Sequence, residues 1–92
     1  MFHVFPSNRY KKSLRKMMVS GGFDYANLSI TINMLSMGME MPTMYKDHQL
    51  NGDLGNYREC HVKSDLLLIY EKDPIERKLI LVDIGSHSDL FG

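Results

Sequence analysis

The spacing of apolar positions changes along the chain, and each change marks a different element. Met1 to Phe5 is a short run rich in apolar residues and stopped by Pro6, which holds its predecessor extended, so a strand is expected there. Tyr10, Leu14, Met17 and Met18 then recur at i, i+4, i+7 and i+8, a single helical stripe, while Arg9, Lys12 and Lys16 fall on other faces. Ser7 or Asn8 can cap this helix, and Gly21-Gly22 ends it. Asp24 caps a second helix, with Tyr25, Leu28, Ile32 and Leu35 on its buried side and Gly38 closing it. Leu28, Ile30, Ile32 and Met34 also alternate as a strand would. Length decides for helix, because a uniform segment of about 14 residues between a cap and a glycine exceeds the usual strand.

Met34, Met37, Met39, Met41 and Met44 crowd the next stretch and are read as flexible fillers of the core ahead of an adaptable partner-binding surface. Asn, Gly and Asp dominate from Asn51 to Asn56, a turn-rich loop. Three strands follow, Tyr57 to His61, Asp65 to Glu71 and Lys78 to Ile84, with turns at Lys63-Ser64 and Asp73-Pro74, so they should run antiparallel. A strand, two helices and a three-stranded meander make an α+β fold with the helices packed on one sheet face.

Composition places this pattern in a globular protein. Ninety-two residues suit a single domain spanning 1–92, and a chain this short buries only about two thirds of its unfolded surface, so one modest core is expected. The longest apolar runs, Leu66 to Tyr70 and Leu79 to Val82, fall far short of the roughly 20 residues that span a bilayer. The first residues lack the basic leader and apolar core of a secretion signal, and the lone Cys60 has no internal disulfide partner. A cytoplasmic location is the expectation.

Lys+Arg and Asp+Glu both number 11, which argues mildly against a nucleic-acid binder. The distribution is uneven. Up to Leu50 six basic residues face three acidic ones; beyond it five face eight. Arg9, Lys11, Lys12, Arg15 and Lys16 form a local basic patch on the first helix that can attract phosphate from a neutral molecule.

Candidate chemistry gathers in the C-terminal half. Three of the four histidines, His48, His61 and His87, lie there or just before it, and Glu59 and Asp65 bracket His61. Strand parity sends Tyr57, Glu59 and His61 to one face and Arg58, Cys60 and Val62 to the other. Adjacent Cys60 and His61 therefore cannot chelate one ion from a regular strand, and no paired-cysteine or zinc-protease spacing is present. A three-histidine metal site from His48, His61 and His87 is the alternative this leaves open. No nucleophile elbow, phosphate-cradling glycine loop or dinucleotide fingerprint occurs.

Three ordered segments narrow the field: Tyr45-Lys46-Asp47-His48-Gln49-Leu50-Asn51-Gly52, then Tyr57-Arg58-Glu59-Cys60-His61-Val62-Lys63-Ser64-Asp65-Leu66-Leu67-Leu68-Ile69-Tyr70, then Gly85-Ser86-His87-Ser88-Asp89-Leu90-Phe91-Gly92. In this order they resemble the YafQ family of bacterial type II toxins, within the RelE superfamily. The likeness covers the C-terminal half closely and the N-terminal half in arrangement. It implies a RelE-like fold and an mRNA interferase that cuts mRNA on the translating ribosome. It also implies silencing by a tightly bound DinJ/RelB-like antitoxin encoded nearby, through which operator DNA is contacted.

The family's active-site positions fall on His48, Glu59, His61, Asp65, His87 and Phe91. Position 59 departs from the pattern, being Glu where the best-known members carry Asp.

Such chemistry has a physical rationale. An RNA 2′-hydroxyl can attack the neighbouring phosphate if a base takes its proton, an acid protonates the departing 5′-oxygen and positive charge meets the phosphorane. Histidine can fill all three roles at neutral pH, without a metal or cofactor. His87 is assigned as general acid and His48 or His61 as general base, with Asp65 orienting or charging a histidine. Lys46 and Arg58 are candidates to hold phosphates, Phe91 to stack on a base, and the basic first helix to touch ribosomal RNA. Asp47 and Asp83 are read as structural. The competing class is a toxin homologue that has kept its antitoxin groove but no longer cuts RNA.

Overall fold

The computed structural model describes residues 1–21 and 23–92. Strand β1, His3–Pro6, leads into helix α1, Asn8–Ser20, and helix α2, Tyr25–Ser36. Strands β2, His48–Gln49, β3, Arg58–Lys63, β4, Leu66–Asp73, and β5, Lys78–Gly85, follow, and a short helix α3, His87–Phe91, ends the chain. The five strands form one sheet in the order β1-β5-β4-β3-β2. The meander β3-β4-β5 is antiparallel, as its turns predict, while β1 lies parallel to β5.

Local chemistry sets the helix starts. Ser7 Oγ accepts from the Tyr10 N–H at 3.0 Å and donates to Val82 O at 2.9 Å, so one side chain caps α1 and ties it to β5. Asp83 adds a second tie, accepting from Arg9 Nε at 2.9 Å and Ser13 Oγ at 2.6 Å. Asp24 caps α2 through the Ala26 N–H at 3.0 Å. Past α2, Gly38 adopts φ +73, the left-handed turn that glycine enters without steric cost. Gly21 follows α1 as expected; Gly22, its proposed companion as a stop, lies outside the described residues.

The core joins Tyr10 of α1 and Leu28 and Leu35 of α2 to Cys60, Val62, Leu68, Tyr70, Leu79, Leu81 and Ile84. The alternate residues of β3 and β4, Glu59, His61, Leu67 and Ile69, belong to the opposite sheet face. Burial pushes the Cys60 thiol up to about 12, so Cys60 is an inert filler of the core.

Two expectations about burial are corrected. Tyr25 is exposed and Thr31 is buried in its stead, its hydroxyl donating to Asn27 O at 2.8 Å, so α2 is rotated from the apolar stripe read in the sequence. The methionine cluster is mostly not core: Met37, Met39 and Met44 are exposed, and among the methionines beyond α2 Met41 packs on the core. The chain leaves the sheet-facing layer when α2 ends and runs along the surface.

Candidate active site

The site begins with a two-residue strand. After a single 3-10 turn at Thr43–Tyr45, Lys46 takes the left-handed conformation φ 48, ψ 40, which costs a non-glycine residue about 1–2 kcal/mol. The kink lets His48 Nδ1 donate to Lys46 O at 2.6 Å. Since a carbonyl only accepts, Nδ1 carries a proton and Nε2 is the atom turned outward. Asp47 is held from the other side: it accepts from Arg58 Nη2 at 2.9 Å and from the Tyr70 hydroxyl. With residues 46 and 47 both fixed, β2 pairs His48 with Glu59 and Gln49 with Arg58.

That register creates a histidine-carboxylate cluster. Glu59 is buried, and one of its oxygens, Oε1, lies 3.8 Å from His48 Nε2 and 3.7 Å from His61 Nε2. The distances are those of an ion pair and longer than a hydrogen bond. A buried carboxylate needs compensating charge, and both imidazoles are placed to supply it.

A second group forms on α3. Ser86 Oγ accepts from the Asp89 N–H at 3.1 Å and Asp89 Oδ2 accepts from the Ser86 N–H at 3.0 Å, a reciprocal cap. These bonds from Ser86 hold the Asp89 carboxyl below its usual range. Gly85 makes room for the cap: a Cβ there would lie 2.9 Å from Asp89 Cβ. His87, in the first turn, donates its backbone N–H to Asp65 Oδ1 at 3.3 Å, and its ring lies 5.1 Å from that of Phe91.

Sheet register brings the two groups to one end of the molecule. His61 stands opposite Leu67, which stands opposite Gly85. Two strand spacings, roughly 10 Å, therefore separate the His61 backbone from the residue that launches α3.

The sequence-derived candidates fare differently. His48, Glu59 and His61 are brought together, and Asp65, His87 and Phe91 form their own contact set. Asp65 accepts from the His87 backbone N–H, a contact through which it can orient His87 at the start of α3. Arg58 points to the opposite face, as parity requires, where Asp47 raises its affinity for its proton. There its guanidinium bonds Asp47 and the Tyr70 hydroxyl. Asp47 and Asp83 are structural, as read. Lys11, Lys12, Arg15 and Lys16 are exposed, whereas Arg9 is paired with Asp83. Among the described residues no group of three or more His, Cys, Asp or Glu side chains is placed to hold a metal ion, and His87 stands apart from the cluster that His48 and His61 form around Glu59.

Sequence reasoning missed β2, α3 and Tyr70. Two residues are too few to show a period, but Ser86-x-x-Asp89 is a capping signature and could have located α3. Tyr70 was read only as apolar, although burial and its bond to Asp47 push its hydroxyl well above the ordinary range and keep it a donor.

Comparison with known proteins agrees with this geometry. Residues 2–92 match the family described as bacterial toxin of type II toxin-antitoxin system, YafQ. The mRNA interferase toxin YafQ of Escherichia coli K12 is 40% identical over 55 residues, 59% of this chain and 56% of that protein, so the matched stretch spans just over half of that relative. A metal-bound toxin from Helicobacter pylori superposes with a TM-score of 0.88 at 42% identity, covering 99% of this chain and 100% of that one. The E. coli DinJ-YafQ complex gives a TM-score of 0.88 at 27% identity over 100% of both chains. No helix among the described residues is long and apolar enough to cross a membrane.

Proposed function

The chain belongs to the YafQ family of bacterial type II toxins, and we propose on that premise that it is an mRNA interferase, a ribosome-dependent endoribonuclease silenced by a cognate antitoxin of the DinJ kind. The observation that carries this reading is the buried Glu59 carboxylate flanked by His48 and His61 at 3.8 and 3.7 Å. Two imidazoles on one carboxylate are suited to moving a proton at a phosphodiester. His48 or His61 takes the 2′-hydroxyl proton as the oxygen attacks phosphorus. His87 protonates the departing 5′-oxygen, giving a 2′,3′-cyclic phosphate and a free 5′-hydroxyl. The flanking histidines, when protonated, offset charge on the phosphorane. Phe91, in tilted contact with His87 yet partly exposed, offers a base a face to lie on.

Mapping cut sites on translated mRNA tests it. Cuts phased with codons, absent when the same RNA is offered without ribosomes, are expected. Cuts on naked RNA at the same rate would replace this reading with that of a free ribonuclease. Harmless expression in growing cells, with no cuts at all, would favour a non-catalytic antitoxin-binding homologue.

The neutral chain needs a docking aid, and α1 supplies one. Reversing Lys11, Lys12 and Arg15 to Glu is expected to weaken ribosome binding at least tenfold and to flatten its salt dependence, with antitoxin affinity changed much less. Sedimentation with ribosomes at two salt concentrations measures the first, and calorimetry with antitoxin the second. Equal losses in both would remove α1 as the ribosome contact.

A further inference from the structure

Beside the histidine cluster lies a groove that the chemistry above does not use. Asn27 of α2, Met44, Tyr45 and Lys46 around the 3-10 turn, and His61 and Lys63 of β3 line a volume of about 460 Å³. Ligand sites commonly occupy about 300–1,000 Å³. We propose that this groove seats a nucleotide next to the scissile phosphate, and that Asn27, Tyr45 and Lys63 determine how tightly and which base is held. The proposal rests on the ribonuclease reading and adds its specificity site.

Position is the first support. His61 is both a wall of the groove and a member of the Glu59 cluster, so a nucleotide bound there has its phosphate within reach of the imidazoles. Charge is the second. Lys46 and Lys63 line the groove and no carboxylate does, whereas in the neighbouring depression Glu40 and Asp47 stand against Lys46, Arg58 and Lys72. In a chain of zero net charge such a local excess marks where a polyanion can lie.

The remaining walls suit a base. Tyr45 is half-buried, packs against the core and also lines the groove. Aromatic rings held in this way accept unstacked bases. Asn27 is the discriminating element. Its side-chain N–H donates to Asp24 Oδ2 over a long 3.3 Å, and its amide oxygen has no hydrogen-bond partner among the described residues. An amide presents a donor and an acceptor side by side, the pattern that base edges answer. A peptide would find fewer matches here, since the groove offers lysines and an amide instead of an unpaired strand edge or an apolar slot.

The test uses the intact protein and four tetranucleotides, one per base, made with 2′-deoxy sugars so that they cannot be cut. In an NMR titration the Asn27 side-chain amide and the Tyr45 and Lys63 signals should move together, with one base binding at least threefold more tightly than the weakest. Lys63→Gln should weaken all four about equally, by two- to tenfold at low salt. Asn27→Ala, on a helix that alanine favours, should bring the four affinities together and broaden the base found beside the cut in translated mRNA. Shifts confined to other residues, or wild-type affinities and preference in both variants, would overturn the proposal. Binding in the groove by a protein that never cuts RNA would sink the ribonuclease reading and, with it, the placement of the groove beside a scissile phosphate. Normal cutting with unchanged cut-site preference in Asn27→Ala would sink the subsite alone. Displacement of the oligonucleotides by antitoxin without any base preference would turn the groove into a protein-docking surface and likewise overturn it.

Discussion

His87→Ala is expected to lower mRNA cleavage by about 10²–10⁴-fold, the contribution usual for one positioned acid or base. The loss should fall on turnover more than on ribosome binding, because the ring meets the phosphodiester only as the leaving oxygen gains charge. The fold should be untouched. The exposed imidazole contacts the Phe91 ring, and the helix cap is made by Ser86 and Asp89. The His87 N–H that reaches Asp65 is a backbone group that alanine retains. Surface changes of this kind usually alter stability by less than about 0.5 kcal/mol. Unfolding in urea and antitoxin binding should therefore match the parent protein while single-turnover cleavage collapses. A variant that cuts at the parent rate would remove His87 from the reaction and leave the acid to be sought within the His48 and His61 pair.

How far these roles could be read before the structure follows from the reach of each signal. Period-two alternation put Glu59 and His61 on one face and Arg58, Cys60 and Val62 on the other, and the sheet keeps that division. Caps at Ser7 and Asp24 were legible because capping is a local hydrogen bond between neighbours in sequence. His48 could not be placed this way. It reaches Glu59 only because a left-handed Lys46 and an anchored Asp47 fold the chain back, and neither leaves a periodic trace. The contact Asp65 makes was hidden for a related reason: sequence proximity does not reveal that the turn aims its carboxylate at the His87 backbone N–H. The methionines misled through composition, since an apolar side chain can as well lie on a surface segment when too few positions face the core.

The largest structural effect is expected from Asp47→Ala, which joins stability to chemistry. Asp47 accepts from Arg58 and from Tyr70 on the helix-facing side, while its neighbours Lys46 and His48 bond to each other. Removing the carboxylate strands a buried tyrosine hydroxyl and an arginine at once. Leaving a buried donor without an acceptor costs about 1–3 kcal/mol, and breaking a fully buried ion pair about 3–5 kcal/mol. The Arg58 side chain keeps 35% of its exposure, so water recovers part of that loss and a net destabilisation of about 2–4 kcal/mol is expected. Tyr70→Phe should cost less, because the Asp47–Arg58 pair survives. The chemical consequence comes through geometry. With Asp47 free, β2 loses the anchor that sets His48 opposite Glu59, and a displacement of about 1 Å at a reacting group can lower a rate about 10²-fold. Denaturant unfolding measures the first effect, and cleavage by the folded protein at low temperature the second. An unchanged unfolding midpoint would show that the clamp stabilises nothing. A destabilised variant that still cuts at the parent rate would show instead that His48 is placed by its bond to Lys46 alone.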